Sequence, residues 1–367
     1  MTSRSPTSVL VAPTAFKGTL GPADAASAMA VGVARVWPAA EVFRRPVSDG
    51  GNGLLEAYLA HAGGVLEQVE VTGPLGERIR ARFVKSGSVA VVESAEACGL
   101  HRVPPERLDP LGASTRGVGE LLLETEAVGA LSVILGLGGS ATVDGGLGMA
   151  QALGWRLAGK TGAVVGEGGG SLVHLCRIDP PRQQFSARVT ALCDVQNPLT
   201  GPTGAAAVYA PQKGAGPAQV EQLEAGLIRF AQVVRTELGV DLTDLPGAGA
   251  AGGLAAGARA FLSADLVAGA EWILELGDLR RLLSGVDLLV TGEGRFDAQS
   301  RMGKITGRLL ETAEGAGVSA LLVCGRIDGR PASAAKSVDG GGRTLSFADI
   351  VRLTEDACRE LAVGDRL

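Results

Sequence analysis

The reactive side chains of this 367-residue chain are most concentrated in DLLVTGEGRFDAQSRMGK, where Thr291, Glu293, Arg295, Asp297, Gln299 and Lys304 fall within fourteen residues. Carboxylates, cations and an amide this close together suit a small polar, charged substrate. The glycines between them let a ligand approach the backbone, which a merely solvated loop does not need. Two other loops carry similar groups. In APTAFKGTLGPADAA, Lys17 lies between a strand end and a helix beginning near Pro22. A lysine there can meet a phosphate at the carboxyl edge of a sheet, helped by the amides of the helix N-terminus, or it can simply be solvated. The spacing is not that of a P-loop. In PVSDGGNG, Asp49 stands at a strand tip, with Gly50, Gly51 and Gly53 clearing room for a ligand or shaping an Asp-Gly turn.

A second group of motifs lies mid-chain. LGLGGSATVDGGLGMAQALG follows a strand and enters a helix, and Gly136, Gly138 and Ala141 satisfy GxGxx[GA]. A dinucleotide fingerprint also needs an acid about 20 residues on, at the end of a second strand, and that acid is missing. The amides of Gly138, Gly139, Gly145 and Gly146, with the Ser140 and Thr142 hydroxyls, could still hold a triphosphate. Tight turns for close packing are the competing reading. CDVQNPLTGPTGAAAVYAPQKGA then offers Asp194, Asn197, Gln212 and Lys213, a polar set suited to substrate, although Asn197 before Pro198 could only shape a turn. The small residues of LPGAGAAGGLAAGARAFL read as helix-packing spacers more than as a ligand loop.

These loops hang on short apolar runs at Ser8, Glu41, Leu131, Arg188, Val286 and Ser319, each the length of a strand. Helical patterns lie between several of them: 23–36, 53–62, 117–126, 145–157 and 304–315. That alternation predicts an α/β protein with parallel sheets. Alternating runs from Leu66 to Ser94 predict antiparallel strands instead. Residues 1–64 and 285–367 together would form one five-stranded doubly wound sheet, with 65–284 as an inserted α/β domain and the active site in the cleft between them. At such a switch point the first and third strands would bring Lys17 and the Glu293–Asp297 loop together. GAVVGEGGGSLVHL reads as a surface loop, and SVDGGGRTLS as a turn into the last strand.

Composition removes several classes. With 46% hydrophobic residues the chain is not disordered, and its 55 glycines cluster at strand-to-helix joins. There are 39 acidic residues against 34 basic ones, and no basic run could track a phosphate backbone, so nucleic acid is not an expected partner. Five cysteines without CxxC spacing and three scattered histidines argue against a disulfide framework and a zinc site, and point to a reducing cytoplasm. Neither a signal peptide nor a membrane span is read in the sequence.

The strings FKGTL, PVSDGGNG, VTGPLGE, GLGGSATVDGGLG, CDVQNPLTGPTGAAAVYAPQKGA, LPGAGAAGGL and TGEGRFDAQSRMGK, in this order, resemble the bacterial class I glycerate kinases over essentially the whole chain. The resemblance implies a flavodoxin-like domain built from both chain ends, with an inserted α/β domain resembling restriction-enzyme folds. It also implies ATP-dependent phosphorylation of D-glycerate, usually to 2-phosphoglycerate. On that basis Lys17, Asp194, Asp297 and Arg295 become catalytic candidates, with Asp194 and Asp297 competing as general base. Asp49, Asn197, Lys213 and Glu293 become substrate contacts, the 136–148 loop the nucleotide site, and Asp297 the Mg²⁺ ligand. The chain departs from the family pattern at Thr14 and Ala15, Asn52, Val143 and CGRIDGR. A dinucleotide-dependent oxidoreductase and a non-catalytic small-acid sensor are the alternatives.

Overall fold

The computed structural model describes residues 5–363 except 17, 302, 330–333 and 335, and for 299 and 301 the backbone only. The chain divides into two compact units, residues 1–63 with 269–367, and residues 64–268. The first unit contributes strands β1 (Ser8–Val11) and β2 (Glu41–Arg44). The second contributes β3 (Val65–Thr72), β4 (Arg78–Ser86), β5 (Val89–Glu93), β6 (Ser132–Gly136), β7 (Arg156–Ala158), β8 (Arg177–Asp179), β9 (Arg188–Leu192) and β10 (Asp265–Val267). The chain then returns to the first unit with β11 (Leu288–Phe296), β12 (Ser319–Ile327) and β13 (Lys336–Asp339).

In the first unit the strands lie in the order β13-β12-β11-β1-β2, all parallel, a flavodoxin-like doubly wound sheet. Continuous apolar runs form β1 and the first parts of β11 and β12, whose two faces are both covered, whereas the edge strands β2 and β13 are mixed and only partly buried. Val9 and Val11, with Leu288 and Val290, pack into a core beneath helices Pro22–Val36 and Phe347–Val363. Leu10, Leu289 and Leu322 point the other way, under helices Gly269–Leu276, Leu279–Leu283 and Ile305–Gly315. Gly292 is dictated by its neighbour, since a Cβ there would stand 1.9 Å from the Val323 carbonyl oxygen.

The second unit holds a six-stranded sheet, β10-β9-β6-β5-β4-β3, with a parallel half from β5 to β10 and an antiparallel half from β3 to β5. The change of direction follows the sequence, because tight turns join β3, β4 and β5 whereas the later strands alternate with longer crossovers. Its core gathers Phe83, Leu121, Leu135, Leu147, Leu227 and Phe230.

The structure differs from the sequence reading in five places, the first being that the expected Glu293–Asp297 loop is mostly strand, since β11 runs on to Phe296 and pairs with β12 as far as Ile327. Residues 269–284, read as part of the insert, belong to the first unit, where Ile273, Leu274, Leu279 and Leu283 fill one of its cores. The helix expected over 145–157 is only Leu147–Ala152, since Gly154 takes a positive φ and Arg156–Ala158 pairs with β8. GAVVGEGGGSLVHL is not a free loop: Gly169–His174 forms a 3₁₀ segment whose Leu172 is fully buried. SVDGGGRTLS carries β13 first and then leads into helix Phe347–Val363. The longest helix, Pro217–Leu238, begins with proline at its first turn and ends at left-handed Gly239. Among the described residues no helix is long and apolar enough to cross a membrane.

Phe230 is fully buried, close to Gly145 and tilted against Phe261. Phe230→Ala is expected to cost about 3–5 kcal/mol through lost burial and a residual cavity. Urea unfolding followed by circular dichroism checks this, and a loss under about 1 kcal/mol would contradict the packing described.

Candidate functional site

In the first unit β11 and β1 flank the switch point, where doubly wound sheets bind ligands beyond their carboxyl ends. Here β11 carries Glu293, paired in register with Cys324 of β12. The Ser300 and Thr306 hydroxyls hydrogen-bond the Glu293 carboxylate, and Lys304 lies within its field. Its Oε1 is buried with no hydrogen-bond partner among the described residues. Burial chiefly, and secondarily the negative charge of Asp49, push the Glu293 carboxyl up to about 7. The structure thus brings Glu293, Asp49 and Lys304 into one electrostatic neighbourhood, held by serine and threonine hydroxyls.

The other expected residues of this unit have more local partners. Asp49 accepts from the Gly51 amide at 3.2 Å, which shapes the glycine turn. Asp297 accepts from the Ser300 amide at 3.3 Å, and the Ser300 hydroxyl accepts from the Asp297 amide at 3.3 Å, closing the turn into Ala298–Arg301. Arg295 is exposed and donates to Asp328 at 2.7 Å, a carboxylate it shares with Arg326. Thr291 donates to the Ala12 carbonyl at 2.8 Å and so ties β11 to the end of β1. Lys17 and the side chain of Gln299 lie outside the described residues.

The glycine-rich loop of the second unit is built from inside. Asp144, which the sequence reading passed over, is completely buried, and burial raises its proton affinity. Four donors hold its carboxylate: the Thr115 amide at 2.9 Å, the Thr115 hydroxyl at 2.8 Å, the Gly146 amide at 3.1 Å and the Gly148 amide at 3.2 Å. Gly146 and Gly148 therefore spend their amides on the chain itself. Thr142, Gly145 and Gly146 are buried, against helix Ala250–Leu262, where a Cβ on Gly252 would meet the Thr142 carbonyl oxygen at 2.0 Å. The small residues of that helix act as packing spacers, as expected from sequence. Of the expected nucleotide contacts, Gly139 is exposed and Gly138 half-buried.

Three more residues belong to this unit. Lys213, expected at the substrate, is turned inward, and its Nζ donates to Ser140 Oγ at 3.1 Å and the Thr142 carbonyl at 2.6 Å. Asn197 donates to the Thr203 carbonyl at 2.8 Å and accepts from the Tyr209 hydroxyl at 2.6 Å, so both ends of its amide shape the loop. Asp194 is half-buried, two residues beyond the end of β9. The only sequence signal for Asp144 is a carboxylate inside a run of glycines, a position with no solvent-side reason for charge.

The dinucleotide reading loses its geometry here. The strand after the glycine-rich loop, β7, pairs antiparallel with β8 in a separate two-stranded sheet, and the neighbours of β6 are β5 and β9. A dinucleotide fold needs that next strand alongside, with an acid at its tip. Among the described residues no three histidine, cysteine or acidic side chains are grouped to hold a metal ion.

A doubly wound sheet with a proton-binding carboxylate at its switch point, and a second α/β unit with a braced glycine-rich loop, describe an enzyme acting on a small polar substrate. The glycerate kinase family model matches residues 9–362, and the chain belongs to that family, which makes it a kinase. It is 40% identical over 371 residues to a glycerate kinase of Halalkalibacterium halodurans, covering 97% of both chains. It is 42% identical to glycerate 2-kinase of Escherichia coli, over 81% of this chain and 79% of that one. A crystal structure from Salmonella typhimurium LT2 described as a glycerate kinase 2 matches with a TM-score of 0.83 at 35% identity, over 98% of this chain and all of that one.

The raised proton affinity of Glu293 has a consequence for stability. Its contribution is fully present below the ordinary value of 4.5 and is lost as pH rises through about 7, because the unfolded chain ionises first. That difference corresponds to roughly 3 kcal/mol. Glu293→Gln cannot ionise, so it is expected to melt higher than the parent at pH 8 and no higher at pH 4.5. Calorimetry at the two pH values checks this, and an equal difference at both would contradict it.

Proposed function

We propose that the enzyme transfers the γ-phosphoryl group of ATP to D-glycerate, forming 2-phosphoglycerate and ADP. Family membership and the names of the relatives support the substrate, and the Escherichia coli relative's name supports the 2-position. The observation that carries the chemistry is the buried Glu293 Oε1, which has no hydrogen-bond partner among the described residues. A glycerate hydroxyl is a weak nucleophile until a positioned base takes its proton, and a base whose proton affinity matches neutral pH does this best. In the proposed step Glu293 accepts that proton as the hydroxyl oxygen bonds to the γ-phosphorus. The bond from that phosphorus to the β,γ-bridging oxygen breaks, and ADP leaves with the electron pair.

Positioning and charge neutralisation supply most of the catalysis in such transfers. We assign Asp49 and Lys304 to the acceptor side with Glu293, and the Gly138–Gly139 turn with Ser140 to the nucleotide side. Lys304, within the field of Glu293, supplies positive charge for the glycerate carboxylate. Asp297, engaged with Ser300, keeps the Glu293 clamp in place rather than serving as base. Mg²⁺ commonly binds through substrate phosphates and one or two carboxylates rather than in an all-protein cage. Its requirement is therefore proposed as a property of the nucleotide complex, and no step is routed through it. Kinase chemistry on cytoplasmic ATP is in keeping with five cysteines that are all unpaired.

Phosphorus NMR of a reaction holding ATP, D-glycerate and Mg²⁺ tests this reading, with 2-phosphoglycerate as the expected product and ADP formation without any phosphoglycerate as the contrary result. Chelating the Mg²⁺ is expected to abolish turnover. In the parent enzyme kcat/KM is expected to rise with pH through about 7 as Glu293 ionises. Glu293→Gln should lower kcat by about 10²- to 10⁴-fold. A loss below threefold in a folded variant would remove Glu293 from the chemistry.

A further inference from the structure

Lys213 ends the short 3₁₀ segment Pro211–Lys213 and is only 2% exposed. Among the described residues no carboxylate lies within ion-pair distance of it; its two partners are the Ser140 hydroxyl and the Thr142 carbonyl. Burying an ammonium without a counter-ion is costly, and the same two hydrogen bonds could be made by a neutral amide. Positive charge is what a lysine adds at this position. A lysine only donates, so Ser140 Oγ accepts from it and the serine proton must go elsewhere. Among the described residues that proton finds no acceptor. The next residue back, Gly139, is exposed.

We propose that Lys213 is a positioning residue for the nucleotide. By donating to Ser140 Oγ it fixes that hydroxyl as a donor, and it sets a positive charge behind the Gly138–Gly139 turn, so that the loop receives the terminal phosphates of a nucleoside triphosphate. The inference rests on the kinase reading and deepens it. The titratable groups facing the ammonium are Cys98 and Asp144. The Cys98 thiol is pushed up to about 12 by burial and stays neutral, while the Asp144 carboxylate holds part of the lysine charge in place. Burial nevertheless brings the Lys213 ammonium down to about 8. The charge is thus present at pH 7 and largely gone at pH 9.

The test is calorimetric titration of the full chain with the β,γ-imido analogue of ATP and, separately, with adenosine, at pH 7 and pH 9. For the parent protein, triphosphate affinity is expected to fall about tenfold between the two pH values while adenosine affinity holds. Lys213→Met should bind the triphosphate at least tenfold more weakly at pH 7 and lose the pH dependence. Lys213→Arg, which stays charged, should keep its affinity at pH 9. Ser140→Ala should weaken the triphosphate and not adenosine, and with the parent's pH profile it decides the matter if Lys213→Met does not fold. Triphosphate binding within threefold of the parent in both Lys213→Met and Ser140→Ala would overturn the proposal, as would equal losses for adenosine and triphosphate, which mark a structural role. A parent protein that binds no triphosphate at all would overturn the kinase reading along with it, whereas binding unaffected by the substitutions sinks only the role of Lys213.

Discussion

A carboxylate largely withdrawn from water, with one oxygen left without a partner among the described residues, is an expensive arrangement, and several features of the first unit keep Glu293 in it. Water would hydrate both oxygens; here two hydroxyls reach the carboxylate and Oε1 has no partner among the described residues. The cost is expressed as proton affinity, because burial disfavours the charged form. The position holds because β11 is clamped between β1 and β12, with Gly292 letting the neighbouring backbone approach and Thr291 bonded to the end of β1. The Asp297–Ser300 turn and the start of helix Ile305–Gly315 supply the two hydroxyls.

The second unit shows the same economy with the opposite emphasis. Among its buried carboxylates, Asp144 is held by four donors that brace the glycine-rich loop. Its buried cation, Lys213, is the group whose charge is only partly compensated. On the proposed reading, one unit would hold a base that takes a proton, and the other a loop with positive charge behind it. Those are the two requirements of phosphoryl transfer to a hydroxyl: activation of the acceptor and neutralisation of the phosphates.

The fold was legible in the sequence because strand-forming runs such as SVLVAP and VDLLVTGEG alternate with helical patterns, and because tight turns announce β3 to β5. The ends of elements were less legible. Gly154 cut short the helix begun at Leu147, and residues 269–284 joined the first unit through apolar contacts that only three dimensions reveal. For the site, the density of charged residues marked the Glu293–Lys304 segment, and the family resemblance gave Glu293 and Lys213 alike as substrate contacts. Their burial is what supports proposing different roles for them. Asp297 and Asn197 look as reactive as Glu293 in a string of letters, yet each is engaged in shaping its own turn. Asp144 was missed because a satisfied interior carboxylate and a ligand-facing one have the same sequence signature.

The account depends most directly on the proton affinity of Glu293. Infrared difference spectroscopy across a pH titration, comparing the parent with Glu293→Gln, isolates the carboxyl stretch of this one side chain. The account predicts a protonated carboxyl band that disappears with a midpoint near pH 7 and is missing from the variant. A midpoint at or below the ordinary glutamate value of 4.5 would contradict it, leaving Glu293 a carboxylate like any other at the surface.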